Sequence, residues 1–247
     1  MKKRMYVLGV AALLAALLAL SGVAQSAMWV GAELGGNFNL GVDMSVDGRG
    51  VSESRNTFIH PSVIGGATIG YDFVNAGFGA YAWPDWMKYF SFAMDLTYNR
   101  LAIQDAGPGI GQFFSGSSRL NGYELAWTFL FMAHYGFLPD SEVPAGRIHP
   151  YLGVGPAIVW TGVEGTLPTG FANSTNTRSF SSNYGDHTMN VALVVEPGVR
   201  FMAFKNVSVD VAMRYRYSAP SWEGNGVTIK TNALHQFAPI IRASYHF

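Results

Sequence analysis

The side chains best suited to chemistry in this sequence are charged residues at even spacings within apolar stretches. Glu196 and Arg200 stand four positions apart, and Asp210 and Arg214 repeat that spacing. If the chain turns at Lys205, antiparallel pairing places Arg200 opposite Asp210 and Glu196 opposite Arg214. Because opposite charges then face each other in both cases, the spacing predicts two ion pairs inside the fold.

Other residues that could act as a base or bind a metal are scattered along the chain. The six histidines lack metal-ligand spacing, and a calcium site would need several converging oxygens. The chain has no cysteine, which excludes disulfides, thiolate metal sites and a lipid anchor on cysteine. We therefore expect no catalytic residue, no metal site and no cofactor. The residues considered are His60, His134, His149, His187, His235, His246, Asp105, Asp140, Asp186 and Glu223.

Eight segments with period-two alternation would position the charges. Each has an apolar or aromatic face and a face of glycine, polar and charged residues, which is the pattern of a β-strand. No segment has a competing helical stripe. The segments are Met28–Leu40, Pro61–Phe73, Tyr89–Ile103, Asn121–Tyr135, His149–Thr161, Met189–Ala203, Val207–Ser218 and Phe237–Phe247. The pattern predicts an all-β fold in which eight antiparallel strands close into a barrel.

The composition favours a surface that faces lipid. The chain is 49% hydrophobic and 14% aromatic but only 13% charged, against about 25% charged residues in soluble proteins. A soluble lipocalin-like barrel is the alternative, but eight strands leave an interior just wide enough for side chains to fill. The many aromatic residues are therefore expected outside, in a membrane. The balance of charge gives no reason to expect nucleic acid as a partner.

Residues 1–27 have the organisation of a cleaved signal peptide. Lys2, Lys3 and Arg4 precede an apolar run from Val7 to Leu20. A transmembrane anchor is the alternative, but that run is short of the roughly 20 residues a helix needs to span a bilayer. We place cleavage after Ala27, with Ala24 as an alternative, and a barrel domain over 28–247.

The connections between the segments fall into two classes. With both termini in the periplasm, the outward connections would be 41–60, 104–120, 162–188 and 219–231, which are rich in Gly, Ser, Asn and Asp. The inward connections would be 74–88, 136–148 and a tight turn at 204–206. Long outer loops and shorter inner turns are typical of outer-membrane barrels.

The polar faces would fill the barrel interior with charges of both signs. The expected set is Glu33, Asp72, Asp95, Glu124, Glu196, Arg200, Asp210, Arg214, Arg216 and Arg242, with His246 nearby. Since unpaired buried charges are costly, these groups must pair. A solute path is the alternative, but the narrow interior favours a structural plug of ion pairs.

Several stretches resemble the small eight-stranded bacterial outer-membrane β-barrel family, which includes the OmpA transmembrane domain and the OmpX-like and OmpW-like barrels. They are Trp29–Gly36, Gly70–Phe73, Pro150–Gly155, Glu196–Phe201, Met213–Ser218 and the terminal Phe247. The resemblance implies an antiparallel, transmembrane, up-and-down barrel in the outer membrane of a Gram-negative bacterium. It also implies that Tyr245 and Phe247 form a signal for the barrel-assembly machinery. Outer-membrane lipid and lipopolysaccharide would be its partners, and the protein would be a monomer.

Some barrels of this size are lipid A deacylases, which use a His-x-Ser pair and a downstream acid. The comparable stretch here is Arg216-Tyr217-Ser218, followed by Glu223. Arginine cannot accept a proton near neutral pH, although His187 could supply a base from a neighbouring strand. We expect a structural or surface-interaction role, with a narrow channel for small or apolar solutes as the alternative. A lipid A-modifying enzyme is the least favoured hypothesis.

Overall fold

The computed structural model describes residues 28–48, 51–73, 83–104, 119–169, 180–224 and 227–247. The expected signal peptide at 1–27, with its cleavage after Ala27 or Ala24, lies outside the described residues. So do parts of five predicted connections, at 49–50, 74–82, 105–118, 170–179 and 225–226.

Strands make up most of the described chain. They are β1 Met28–Asn39, β2 Val42–Gly48, β3 Val51–Ile59, β4 Ser62–Asp72, β5 Phe90–Gln104, β6 Arg119–His134, β7 Ile148–Thr169, β8 Phe180–Phe204, β9 Val207–Ser218, β10 Ser221–Gly224, β11 Val227–Thr231 and β12 Leu234–His246. A short 3-10 helix, Asp85–Tyr89, precedes β5. None of the helices in the described ranges has the length and apolarity needed to cross a membrane.

Eight of the strands close into an antiparallel barrel in the order β1, β4, β5, β6, β7, β8, β9 and β12. The last strand returns to the first, with Glu33 opposite Arg242 and Trp29 opposite His246. Closure pairs the two edges that an open sheet would leave exposed. The predicted all-β, eight-stranded antiparallel barrel is therefore confirmed.

The apolar faces of the strands point outward and the polar faces point inward. In β9, Val211 is 60% exposed, whereas Arg214, three residues later on the opposite face, is 1% exposed. In β12, Ile241 is 61% exposed and its neighbour Arg242 is 1% exposed. A soluble protein would bury the first kind of residue and expose the second, so this distribution is inverted relative to a soluble fold.

The connections 41–60 and 219–231, which were expected to be long loops, contain strands. The first contains β2 and β3, and the second contains β10 and β11. β11 pairs with β2, so the two hairpins join into a four-stranded sheet, which we call the loop sheet. The alternation of Val42-Asp43-Met44-Ser45-Val46-Asp47 was a usable strand signal, but the glycines and polar residues around it favoured a loop.

The lengths of the strands β7 and β8 were also underestimated. They were expected to end at Thr161 and to begin at Met189, but they pair with each other as far as Thr169 opposite Phe180. The added stretch of β7 contains Gly165 and Pro168, which interrupt any alternating pattern. Backbone pairing between neighbouring strands extends this hairpin, so the side-chain pattern could not reveal its length.

The seam between β1 and β12 has no room for a side chain at Gly35. A Cβ there would overlap the carbonyl oxygen of Pro239, which belongs to the facing backbone and cannot rotate away. We expect Gly35→Ala to lower the free energy of unfolding by about 1–3 kcal/mol, as overpacked sites do. Urea titration of the folded protein in detergent micelles measures this difference.

The matched control for that prediction is Gly65→Ala on the neighbouring strand. A Cβ at Gly65 would lie 3.6 Å from the nearest atom, an ordinary contact distance. Its free energy of unfolding should stay within about 0.5 kcal/mol of the parent value. Equal losses in the two variants would show that the β1–β12 seam is not specially constrained.

Candidate functional site: the charged lumen

The strands place their charged side chains in the barrel interior, the lumen, by simple alternation. Glu33 on β1 and Asp95 on β5 share one level of the lumen with Glu196 on β8, Arg214 on β9 and Arg242 on β12. All five are at most 5% exposed. Ionised groups so well removed from water require close partners of opposite charge.

Arg214 lies at the centre of this level and contacts three carboxylates. Its Nε donates to Glu196 Oε2 at 2.7 Å, and its Nη2 donates to Asp95 Oδ2 at 2.6 Å. Its Nη1 donates to Glu33 Oε1 at 3.1 Å. The planar guanidinium offers several donors in fixed directions, so one arginine can bridge carboxylates on three strands.

Arg242 extends the same cluster toward β1 and β7. Its Nη2 lies 2.6 Å from Glu33 Oε2 and 3.0 Å from Glu196 Oε1, and its Nη1 lies 3.6 Å from Asp210 Oδ2. The phenol of Tyr151 also donates to Glu196 Oε1, at 3.2 Å. Glu196 is therefore held by two arginines and a tyrosine at once.

A second group lies at the end of the lumen near the start of β1 and the end of β12. Arg200 Nε donates to Asp210 Oδ2 at 3.4 Å, and Arg200 Nη1 lies 3.7 Å from Asp72 Oδ1. The guanidinium stacks on Trp29, with its Cζ 4.5 Å from the ring centroid, a cation–π contact. Trp29 Nε1 in turn donates to Asp72 Oδ1 at 3.2 Å. His246 Nδ1 lies 3.9 Å from Asp72 Oδ2.

A third group lies on the opposite side of the central cluster. Arg216 forms a salt bridge with Glu124 and donates to Thr97 Oγ1 at 3.3 Å. Gln236 Nε2 donates to Glu124 Oε2 at 3.1 Å. The lumen is thus crossed by three successive layers of charge-assisted hydrogen bonds, in which each guanidinium has a carboxylate partner.

Among solved structures, the chain is similar to several outer-membrane barrels. Neisserial surface protein A is 14% identical, with a TM-score of 0.40, over 89% of this chain and 97% of that one. Ail, the attachment invasion locus protein of Yersinia pestis, is 11% identical, with a TM-score of 0.36, over 90% and 99%. The outer membrane protein AlkL is 16% identical, with a TM-score of 0.37, over 90% and 91%. No protein-family model and no curated protein matches the sequence.

The structure gives each of the ten charged residues expected in the lumen at least one partner of opposite charge from the same set. The two ion pairs expected from a turn at Lys205 are both present, and Arg200 lies directly opposite Asp210 in the β8–β9 ladder. Among the described residues, six carboxylates face four guanidiniums: Glu33, Asp72, Asp95, Glu124, Glu196 and Asp210 against Arg200, Arg214, Arg216 and Arg242. Carboxylates therefore outnumber guanidiniums in the described part of the lumen.

Sequence reasoning missed two aromatic members of the network, Trp29 and Tyr151. Trp29 and Tyr151 are 0% and 6% exposed, although aromatic residues were expected outside. Their positions in the strands could have revealed them, because Trp29 lies on the same face as Glu33 and Tyr151 lies on the same face as Gly153. Glycine leaves space for such a ring inside the barrel, because a Cβ at Gly70 would overlap the Trp29 ring.

The residues considered for hydrolysis are not brought together. Arg216 points into the lumen against Glu124, and no hydrogen bond links Ser218 to a histidine or a carboxylate in the described part of the chain. His187 Nδ1 lies 3.3 Å from the Tyr123 hydroxyl, and the backbone N–H of Glu223 donates to Asp186. These positions give no nucleophile–base pair.

Metal binding has no structural support either. Among the residues that the structure describes, no three histidine or acidic side chains converge in a way that could hold a metal ion. His149 and His235 instead contact the Gly146 carbonyl and the Tyr215 hydroxyl, each at 2.7 Å.

The connection at 136–148 is held by an exposed cluster outside the barrel wall. Asp140 Oδ1 accepts the backbone N–H groups of Glu142 and Val143 at 3.0 and 2.7 Å, and Arg147 bridges Asp140 and Glu142. Because the Val143 N–H and then Arg147 favour the ionised carboxylate, they lower the pKa of Asp140 from its ordinary value.

A lowered pKa makes this connection sensitive to acid. The Asp140 contacts should be fully present above the ordinary aspartate pKa and lost as the pH falls through the lowered pKa. The Val143 amide chemical shift, followed by NMR, should therefore titrate with a midpoint below 3.8, the ordinary value. Asp140→Asn can still accept the N–H bonds and should abolish the titration. A midpoint at or above 3.8 would contradict the proposed cause.

Proposed function

We propose that this protein is an integral outer-membrane β-barrel of a Gram-negative bacterium, with a lumen plugged by ion pairs and a structural or surface-interaction role. One observation carries the proposal: a closed barrel exposes apolar side chains all around its outer face and buries its charges. Lipid favours closed barrels because it offers no hydrogen bonds to an unpaired strand edge. In water the same outer face would be a large aggregation-prone surface.

Aromatic residues on the outer face support this placement. At the end near the termini, Tyr89 stacks on Tyr135 with ring centroids 5.6 Å apart. At the other end, Tyr98 stacks on Tyr123 at 6.3 Å. Two aromatic levels separated by an apolar band are typical of membrane barrels, whose girdles lie at the two membrane–water interfaces.

We further propose that both termini of the barrel face the periplasm. The start of β1 and the end of β12 lie at the same end as the tight turn after β8, since Asn206 Nδ2 donates to the His246 carbonyl at 2.7 Å. The loop sheet and the extended β7–β8 hairpin lie at the opposite end. Short inner turns and long outer connections support this orientation.

The outer end is where a surface-interaction role would reside. β7 and β8 contain 22 and 25 residues, well beyond the roughly 9–11 that a tilted strand needs to cross hydrocarbon. Together with the loop sheet they present extended backbone and polar side chains outside the membrane. Outer-membrane lipid and lipopolysaccharide would surround the wall below, and the barrel is proposed to be a monomer.

For biogenesis, we propose that Tyr245 and Phe247 are read by the barrel-assembly machinery. Tyr245 is 49% exposed on the outer face, and its ring centroid lies 5.3 Å from that of Phe247. A partner at this edge could reach both rings before β12 pairs with β1. Enzymatic activity is not part of the proposal, because Arg216 stands where the lipid A deacylases have the histidine of their His-x-Ser pair.

Heat-modifiable gel migration tests the barrel. The unboiled protein should migrate faster than the boiled protein, since a barrel that resists detergent stays compact. Limited digestion of intact cells should cut the loop sheet and spare the inner connections. Equal migration with and without boiling would contradict the proposed membrane barrel, and cleavage confined to the inner connections would reverse its orientation.

A narrow channel is the second candidate, because the lumen is polar and acidic. Conductance of the purified protein in planar bilayers separates it from the plug. We expect no reproducible openings, since Arg214 and Arg242 cross the lumen and contact carboxylates on opposite walls. Reproducible cation-selective openings would establish the channel.

A further inference from the structure

The row of large apolar side chains on the outer face of β6 continues past the end of that strand. Tyr135 and Phe137 follow at odd positions, on the same face as Phe131, and all three are exposed. The Phe137 ring centroid lies 5.0 Å from that of Tyr135, which stacks on Tyr89. The apolar outer surface of the barrel therefore continues onto the 136–148 connection.

The next residue, Leu138, has a strained backbone. Its φ is 56°, and it is the only described residue other than glycine with a positive φ. Glycine adopts this left-handed conformation without penalty, whereas in leucine it costs free energy because the Cβ comes too close to the backbone. The backbone N–H of Arg147 fixes the turn, since it donates to the carbonyls of Phe137 and Leu138 at 2.8 and 3.2 Å.

The Leu138 side chain gains little from the rest of the protein. It is 66% exposed, so most of its surface has no packing partner in the described part of the chain. An apolar side chain stabilises a fold chiefly by leaving water, and Leu138 does not leave it within this chain. The partner that suits this strained and exposed leucine is therefore apolar and lies outside the protein.

The residues beside this turn are of the kinds that favour a membrane–water interface. The 3-10 helix Asp85–Tyr89 exposes Trp86 and Tyr89, and Tyr89 stacks on Tyr135. Tryptophan and tyrosine suit an interface because one end of the ring is apolar and the other can bond to water. Lys88 is exposed, with its Nζ 5.2 Å from the Tyr89 ring centroid. Its charge can pair with a lipid phosphate while its stem covers the ring.

The acidic side chains nearby leave this surface compatible with phosphate groups. Asp140 and Glu142 both form salt bridges with Arg147, which offsets part of their charge. Asp85 begins the 3-10 helix that carries Lys88 near its other end. Each carboxylate of this surface thus has a cation on its own segment.

The turn also lies at the right depth for a lipid headgroup layer. Leu138 follows Tyr135 by three residues, which is about 8 Å along the axis of a barrel whose strands tilt by about 40°. The headgroup layer on each side of a bilayer is roughly 5–8 Å thick. With Tyr89 and Tyr135 at the edge of the hydrocarbon, Phe137 and Leu138 therefore stay within that layer.

We infer that Trp86, Tyr89, Tyr135, Phe137 and Leu138 form a membrane anchor, the inner anchor, whose partner is the phospholipid layer at the inner end of the barrel. Phe137 and Leu138 insert between the headgroups, and Lys88 pairs with phosphate. Continuity with the lipid-facing wall favours lipid over a soluble protein as the partner. The inference rests on the proposed membrane barrel, since only then is a headgroup layer present at this level.

Spin labels read by electron paramagnetic resonance test the inner anchor in the full protein. The chain has no cysteine, so Leu138→Cys provides a single labelling site in nanodiscs of phosphatidylethanolamine and phosphatidylglycerol. The measurement is the ratio of the label's accessibility to oxygen, which enters lipid, to its accessibility to a water-soluble nickel complex. We expect a ratio at least about threefold higher at 138 than at the matched control Ser141→Cys, an exposed position of the same connection.

Val211→Cys, on the outer face of β9, provides the reference for hydrocarbon and should give the highest ratio of the three. Heat-modifiable migration checks that each labelled variant folds. If labelled Leu138→Cys does not fold, Phe137→Cys takes its place, because that side chain is also exposed at the same turn.

A ratio at 138 equal to that at 141 would overturn the inner anchor and leave this surface open to a soluble partner. Spin–spin broadening at 138 with low accessibility to both reagents would assign the surface to a second copy of the chain instead. A low ratio at Val211→Cys as well would contradict the membrane barrel itself, so failure of the anchor and failure of the barrel are distinguishable.

Discussion

Replacing Arg214 with leucine is expected to lower the free energy of unfolding by about 3–5 kcal/mol, the usual cost of breaking a buried ion pair from one side. Arg214 touches Glu33, Asp95 and Glu196, and all four residues are at most 5% exposed. Without the guanidinium, Asp95 loses its salt-bridge partner, Glu33 and Glu196 keep their contacts to Arg242, and the three carboxylates repel one another. The loss is large because the remaining charges stay buried.

Urea titration in detergent micelles, followed by tryptophan fluorescence, measures this loss. Arg100→Leu is the matched control, since Arg100 is an exposed arginine on the outer face of β5. It should change the free energy of unfolding by no more than about 0.5 kcal/mol. The loss in the free energy of unfolding for Arg214→Lys should lie between those of Arg214→Leu and Arg100→Leu. A lysine keeps the charge, but its ammonium cannot reproduce the fixed donor directions of a guanidinium. Equal effects of Arg214→Leu and Arg100→Leu would contradict a lumen held by ion pairs.

Val211→Arg is expected to destabilise the barrel in lipid vesicles by about 2–4 kcal/mol, the cost of an arginine at the bilayer midplane on the lipid face. Val211 is 60% exposed near the middle of β9, with Ile241 of β12 directly opposite it. The guanidinium would have to leave water for hydrocarbon. The proposed membrane placement thus predicts a large effect at a position with ample space.

A soluble barrel predicts the opposite result for the same variant. An arginine at an exposed position in water should change stability by about 0.5 kcal/mol or less. Val211→Leu controls for side-chain size without adding charge and should stay close to the parent. Unfolding of vesicle-embedded protein by urea provides the measurement. A neutral outcome for Val211→Arg would count strongly against a lipid-facing surface.

The pairing of β8 and β9 was accessible from the sequence because a tight turn fixes it. Phe204, Lys205 and Asn206 leave little freedom in register, so the positions of Arg200 and Asp210 followed from counting. The inward direction of Glu33 and Asp95 was accessible in the same way, because a strand's side chains alternate strictly between two faces.

The assembly of the central cluster could not be predicted from the sequence. Arg214 meets Asp95 and Glu33 across 119 and 181 residues of sequence. Those contacts depend on the height at which each strand sits in the wall, which is set by strand tilt and stagger around the whole barrel. Alternation specifies a face and carries no information about height.

The depth at which the ion pairs lie has a further consequence for the effect of dissolved salt. Exposed pairs separated by more than the Debye length, about 10 Å at 0.1 M, are largely screened, and closer exposed pairs are also weakened, whereas buried pairs are affected much less. The Arg147 cluster with Asp140 and Glu142 consists of close pairs near the surface, whereas the Arg214 cluster is buried. Rising ionic strength should therefore weaken the ion pairs of the 136–148 connection and leave the ion pairs of the lumen almost unchanged.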